Sequence, residues 1–134
     1  TAYLAAFGPA SPRDMQTWSG LTRLAPVFES LDLEEVDRGL YDLPEAPRPP
    51  ADTPAPVRFL PRWDNYLLGH YDRRRVLPEG RKITDAMGQN TVLVDGVVAG
   101  TWVDTGDDVE VTPWRRLPRE ADEERTRLRD WLRA

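Results

Sequence analysis

The 134-residue chain contains no cysteine, one histidine and one lysine. The lack of cysteine excludes disulfide scaffolds, thiolate zinc sites and a cysteine nucleophile. A single histidine cannot build a multi-histidine metal site, and we expect neither a metal nor a cofactor. No apolar run approaches the ~20 residues of a membrane-spanning helix, and no signal-peptide pattern opens the chain. The sequence therefore predicts a cytoplasmic protein with no membrane partner.

The composition is that of a folded protein with an excess of acid. Forty per cent of the residues are hydrophobic and five are tryptophan, which is enough to build a core. The net charge is −5, from 18 basic and 23 acidic residues. This negative net charge argues against a protein that coats nucleic acids without sequence preference, although it says nothing about how the charges are distributed.

Residues 1–43 carry the pattern of short helices followed by a hairpin. Ser11 before Pro12 is typical of a helix start, and Thr22 is predicted to cap the next helix. The alternation around the turn at 37–39 predicts a β-hairpin. Helices and hairpin together predict a winged helix-turn-helix module with a truncated first helix. Because the chain opens with Thr1 inside helical sequence, we expect it to be part of a longer protein with further N-terminal domains.

The remainder divides into a linker and a β-rich domain. Residues 44–56 hold six prolines, which predicts a semi-rigid linker. Residues 57–134 are predicted to form a small antiparallel β-barrel, or a curled sheet, with a C-terminal helix. Asp95-Gly96 favours a two-residue hairpin turn that sets Val94 opposite Val97. The fold class is therefore α+β. The expected apolar stripe of the last helix comprises Leu117, Ala121, Leu128, Trp131 and Leu132.

Charge changes sign across the proline linker. Residues 29–52 hold eight acids and two arginines, whereas residues 57–82 hold seven basic residues and three acids. Because the acidic hairpin would repel phosphates, we expect the helix-turn-helix to be a scaffold rather than a DNA reader. Aromatic side chains lie among the later basic ones, as on base-stacking surfaces, and a turn at Gly69-His70 would expose the imidazole. The candidate DNA-binding residues are His70, Tyr71, Arg73, Arg74, Arg75, Arg81 and Lys82.

Several acidic residues are candidates for acid–base chemistry or metal binding. Asp64 with Asn65 is typical of a turn or helix cap and is interpreted as a structural motif. Asp72 beside three arginines suits an ion pair better than a catalytic base. Asp104, Asp107 and Asp108 surround a turn, where solvated acids are commoner than a cation site. No catalytic residue and no metal ligand are therefore assigned.

Residues 59–75, with Asp64-Asn65 and His70 at their centre, resemble the C-terminal signature of the AlkZ/YcaQ-like winged-helix proteins. Residues 91–102 resemble the hairpin that follows it, and the resemblance extends over essentially the whole chain. It implies tandem winged helices and a C-terminal β-barrel lining a DNA channel. Characterised members are DNA glycosylases that excise alkylated bases or unhook interstrand crosslinks.

The family's catalytic motif, glutamine-apolar-glutamine or glutamine-apolar-aspartate, is absent from this sequence. Gln16 is followed by Thr17-Trp18, and Gln89 by Asn90-Thr91. Either the catalytic part lies outside this chain or the protein does not excise bases, so the chain alone is not expected to be catalytic. The resemblance implies double-stranded DNA of the bacterial nucleoid, intact or damaged, as partner, together with the N-terminal domains of the same protein.

Two other functions fit the residues. A transcription regulator would use the helix after Thr22, with Arg23, to contact operator DNA, which the acidic hairpin opposes. A structural or interaction domain would carry the basic stretch as ordinary solvated surface.

Overall fold

The computed structural model describes residues 1–86 and 88–134, which divide into two units. Unit 1 comprises Thr1–Ala51 with Asn65–Asp72, and unit 2 comprises Asp52–Asp64 with Arg73–Ala134. The helices are α1 (Ala2–Phe7), α2 (Pro12–Ser19), α3 (Ala25–Glu29), α4 (Asn65–Leu68) and α5 (Glu120–Leu132), with a 3-10 turn at Ile83–Asp85. The strands are β1 (Glu34–Asp37), β2 (Leu40–Asp42), β3 (Arg58–Leu60), β4 (Asn90–Val94), β5 (Val97–Asp104) and β6 (Val109–Pro113). Among the described residues, no helix has both the length and the apolar character needed to cross a membrane.

The start of α2 is the predicted one. Ser11 is its N-cap and accepts a hydrogen bond from the backbone N–H of Asp14, whose side chain accepts one from the Ser11 N–H. The predicted cap of α3 is wrong, because the helix begins after Leu24 rather than Thr22. Arg23 lies between them with φ +58°, a left-handed turn that separates the Thr22 hydroxyl from the first turn of α3.

The predicted hairpin of unit 1 is present. Strands β1 and β2 pair antiparallel, with a register shift between Glu35 and Asp37. The hairpin and the short helices share one apolar cluster, whose buried members are Tyr3, Leu4, Ala10, Leu24 and Phe28. Short elements that are individually marginal thus gain stability from packing on each other.

Unit 2 is built on one antiparallel sheet of order β3-β4-β5-β6. Val94 pairs with Val97 across the Asp95-Gly96 turn, as predicted. The predicted closed barrel is not what the described residues form, because β3 and β6 each pair on one side only and leave the sheet open. Strand β3 has only three residues, and helix α5 packs against both edge strands. The helix thus covers the sheet where closure would otherwise be needed.

The core of unit 2 lies between this sheet and α5. Its buried members are Val57, Val92, Val94, Ala99, Trp102, Val109 and Ala121, with Leu117 and Leu128 packed against them. The predicted places of Trp131 and Leu132 in this stripe are wrong, since their side chains are 73% and 37% exposed. Ten positions at about 100° each turn Trp131 roughly 80° away from Ala121 on the helix surface.

Gly100 allows β5 and β6 to approach closely. A Cβ built there would lie 2.7 Å from the carbonyl oxygen of Thr112 and 3.0 Å from the Cα of Pro113, both backbone atoms of β6. We expect Gly100→Ala to lower the free energy of unfolding by about 2 kcal/mol, because a packed backbone yields poorly to an added methyl group. Urea denaturation checks this. Val103→Ala, on the exposed end of the same strand, is the control, and equal midpoints for the two variants would contradict the expectation.

Candidate nucleic-acid interface

The segment 65–72 is held in unit 1 by contacts with the first two helices. The amide oxygen of Asn65, the first residue of α4, accepts a hydrogen bond of 3.1 Å from the indole N–H of Trp18. The hydroxyl of Tyr3 donates to the carbonyl oxygen of Gly69 at 2.5 Å. A Cβ at Gly69 would lie 2.8 Å from a ring carbon of Phe7, so only glycine permits this approach. Asp64, the partner of Asn65 in the predicted structural motif, directly precedes α4.

His70 is half-buried and bonded, not exposed by the turn at Gly69 as the sequence suggested. Its Nε2 donates to the carbonyl oxygen of Phe7 at 2.8 Å, and its ring meets that of Phe7 edge-on at 6.4 Å between centroids. A carbonyl oxygen only accepts, so the imidazole carries a proton on Nε2. His70 therefore contributes to the attachment of the segment 65–72.

Asp14 is the functional residue that the sequence analysis missed. Its buried side chain accepts hydrogen bonds from the Ser11 N–H and hydroxyl at 2.7 Å each, and from the Tyr71 N–H at 2.7 Å. The Asp72 N–H lies at 3.4 Å from the same oxygen as that of Tyr71. Burial on its own would raise the pKa of Asp14, but the bonds from Ser11, Tyr71 and Asp72 outweigh it and hold the pKa below its usual value.

The Asp14 spacing from Ser11 is that of a capping box, which the sequence displays. The bond to Tyr71 has no such local signal, because the two residues are 57 positions apart. Only the folded structure shows that one carboxylate fixes both a helix start and the segment 65–72.

The Tyr71 ring, another candidate residue, lies under a guanidinium. The Cζ atom of Arg13 is 3.5 Å from the ring centroid, which is cation–π geometry. Tyr71 is 49% exposed, so the pair stands at the surface of unit 1.

In unit 2, a turn fixed to the sheet presents the candidate arginines. The carbonyl oxygen of Arg73 accepts from the N–H groups of Val76 and Leu77, and the carbonyl oxygen of Val76 accepts from the Val98 N–H of β5 at 2.8 Å. Val76 and Leu77 are buried, whereas the neighbouring Arg74 and Arg75 are exposed.

Three of the candidate arginines line one concavity of about 490 Å³. Its lining residues are Arg73, Arg74, Leu77, Pro78, Glu79, Gly80 and Arg81. The guanidinium of Arg81 also lies 4.3 Å above the ring centroid of Trp114, which limits its orientations. Arg75 and Lys82 are exposed but do not line this concavity. Three of the five candidate basic residues of unit 2 thus line the same concavity.

Two of the three acids around the β5–β6 turn, Asp104 and Asp108, form ion pairs with arginines. Arg133 lies 2.8 Å from Asp104, and Arg125 lies 3.1 Å from Asp108. The Gly106 amide and then Arg133 lower the pKa of Asp104, while the Val109 amide and then Arg125 lower that of Asp108. Within residues 1–86 and 88–134, no group of three or more histidine, cysteine, aspartate or glutamate side chains suits a metal ion.

Comparisons with known proteins agree with the resemblance described above. The family profile described as DNA glycosylase AlkZ-like matches residues 1–134. The interstrand DNA cross-link repair glycosylase of Streptomyces sahachiroi is 34% identical over 138 residues, covering 87% of this chain and 37% of that protein. The solved structure of the DNA glycosylase AlkZ from Streptomyces sahachiroi matches with a TM-score of 0.72 at 29% identity, covering 92% of this chain and 39% of that one. The chain spans less than two fifths of the length of these relatives. By sequence and by fold, it belongs to the AlkZ-like DNA glycosylase family.

Proposed function

We propose that this chain is the DNA-binding portion of a glycosylase that acts on alkylated or crosslinked bases in double-stranded DNA. The observation that carries the proposal is that Arg73, Arg74 and Arg81 line one concavity of unit 2. Guanidinium groups bind phosphate through paired N–H donors, and Glu79 is the one acid among the lining residues. The membership of the AlkZ-like family supports DNA as the source of those phosphates.

The other candidate residues are proposed to assist DNA binding outside the concavity. Exposed Arg75 and Lys82 add positive charge next to the concavity along the chain, which favours encounter with DNA. Tyr71 and His70 keep their proposed place at the DNA-facing side of unit 1, where His70 acts through its bond to Phe7. Residues 1–43 are proposed to be a winged-helix scaffold, to which the segment 65–72 is attached, residues 44–56 a linker, and the rest of residues 57–134 the phosphate-binding domain.

The base-excision chemistry is proposed to lie in the N-terminal domains of the same protein. Neither Gln16 nor Gln89 starts the family's catalytic motif, and no residue of this chain is assigned to water activation. The proposed location is the bacterial cytoplasm, on nucleoid DNA. The rival operator-binding function is not favoured, because α3 has five residues, none of them basic, and ends in Glu29.

Removing the three converging arginines tests the proposal. We expect the triple variant Arg73→Ala, Arg74→Ala, Arg81→Ala to bind a fluorescein-labelled duplex at least about tenfold more weakly at low salt. Each lost phosphate contact also reduces the slope of log K against log salt by about 0.9. Fluorescence anisotropy over a salt series measures both quantities.

A matched variant with the same charge change distinguishes a local site from general charge. Arg116, Arg119 and Arg127 are exposed in unit 2 outside the concavity, and their triple replacement by alanine is expected to change affinity by less than about twofold. Equal losses of affinity in the two triple variants would show that the concavity does not bind DNA. An unchanged salt slope in the triple variant of Arg73, Arg74 and Arg81 would show the same.

A further inference from the structure

Arg13 and Tyr71 are anchored by the same buried group. Arg13 lies in the first turn of α2, which the Ser11–Asp14 capping box fixes. The Asp14 carboxylate also receives the backbone N–H of Tyr71 at 2.7 Å. The stacked pair, with Cζ 3.5 Å from the ring centroid, is therefore attached to the fold at both ends. A pair fixed in this way is preorganised for a ligand.

The Arg13 guanidinium keeps its hydrogen-bonding edge available. Within the part of the chain that the structure describes, it forms no ion pair, although unit 1 holds nine acids and only four arginines. Arg48, by contrast, lies 2.9 Å from Glu34 and 3.8 Å from Asp42. A cation–π contact engages the π-face of the ring and uses none of the guanidinium N–H groups as hydrogen-bond donors to an oxygen. These donors match two oxygens of a phosphate group.

The exposed aromatic rings of unit 1 favour a nucleic-acid phosphate over a protein carboxylate as the ligand. Trp18, Tyr66 and Tyr71 in the same unit are each more than 40% exposed. Exposed aromatic rings, one of them stacked with a cation, are typical of surfaces that contact nucleic acids.

We propose that Arg13 binds a backbone phosphate of the DNA and that Tyr71 positions its guanidinium. This inference rests on the proposed DNA binding and adds to it a phosphate contact in unit 1, outside the basic stretch of residues 73–82. Tyr71 acts here through Arg13, so it is a positioning residue for the contact.

Four variants of the whole chain test the pair by anisotropy with the labelled duplex over a salt series. Arg13→Gln is expected to weaken binding about three- to tenfold and to reduce the salt slope by about 0.9, the loss of one phosphate contact. Tyr71→Leu is expected to reduce the salt slope as well, although it removes no charge. Tyr71→Phe, which keeps the aromatic ring, is expected to bind the duplex with most of the affinity of the unmodified chain. Arg38→Ala, an exposed arginine of the same unit, is the matched control and is expected to leave both quantities within about twofold.

The outcomes separate this inference from the proposed function. If the triple variant of Arg73, Arg74 and Arg81 weakens binding but Arg13→Gln does not, the Arg13 contact is wrong and the proposed function stands. A normal slope in Tyr71→Leu, or a loss in Tyr71→Phe equal to that in Tyr71→Leu, contradicts positioning by the ring. If the unmodified chain shows no salt-dependent binding, both proposals fail. Melting temperatures of all variants show whether a weaker variant is folded.

Discussion

Asp14→Asn is expected to lower the free energy of unfolding of unit 1 by about 3 kcal/mol, because hydrogen bonds to a buried charged group contribute about 1.5–3 kcal/mol each. The carboxylate receives N–H groups from Ser11 and Tyr71 and the Ser11 hydroxyl, all at 2.7 Å. An amide side chain has one acceptor oxygen, and its NH₂ group faces donors on the other side. The variant therefore leaves buried donors unpaired whichever way the amide is turned.

Hydrogen exchange locates this loss, and urea denaturation measures its size. We expect the amide protons of Tyr71 and Asp72 to exchange faster in Asp14→Asn, while the strands of unit 2 keep their protection. Asp107→Asn removes the same charge from an exposed turn and is expected to change stability by less than about 0.5 kcal/mol. Similar unfolding midpoints for Asp14→Asn and Asp107→Asn would show that the buried carboxylate stabilises nothing.

The contribution of Asp14 has a defined pH dependence. Its pKa in the folded state is lowered, so its contribution is fully present above the ordinary aspartate pKa of about 3.9. It is lost as the pH falls through the lower folded value, because protonation then neutralises the carboxylate in both states. The stability difference between wild type and Asp14→Asn should therefore shrink below about pH 4.

The features that the sequence predicted correctly are governed by a few neighbouring residues. Ser11 before Pro12 starts α2, and Asp95-Gly96 makes the turn that pairs Val94 with Val97. Both follow from backbone preferences that act within four residues or fewer. The predicted cap at Thr22 is wrong although it is also a local feature, because Arg23 adopts a left-handed conformation that is usually signalled by glycine.

The rest depends on contacts between distant parts of the chain. The apolar pattern alone does not show how wide a face of α5 is covered, and Trp131, roughly 80° from Ala121 on the helix, stays exposed. An open sheet covered by α5 and a closed barrel share the same strand pattern, so the strands alone do not distinguish them. In the same way, a run of arginines predicts a basic stretch but not which members converge. The turn at Val76 and Leu77 brings Arg73 and Arg74 to the concavity.

Replacing Trp102 by alanine is expected to lower the free energy of unfolding of unit 2 by about 4 kcal/mol, the range for removing a buried tryptophan. The side chain is 8% exposed and packs on the Phe59 ring at 6.1 Å between centroids. Its indole N–H donates to the carbonyl oxygen of Leu60 at 3.0 Å, so a side chain of β5 is hydrogen-bonded to the last residue of β3. Trp102→Phe keeps part of the packing but leaves that carbonyl without its donor, and a smaller loss of about 2 kcal/mol is expected.

Trp131→Ala is the matched control, since it removes the same side chain from a site that is 73% exposed. Its effect on stability is expected to stay below about 0.5 kcal/mol.

Loss of order in β5 has a functional consequence as well, because the N–H of Val98 in that strand donates to the Val76 carbonyl oxygen, in the turn that carries Arg73 and Arg74. Trp102→Ala should therefore weaken DNA binding at temperatures where unit 2 begins to unfold, in step with the loss of its circular dichroism. Full stability of Trp102→Ala, or a loss as large in Trp131→Ala, would contradict the core that α5 and the sheet enclose.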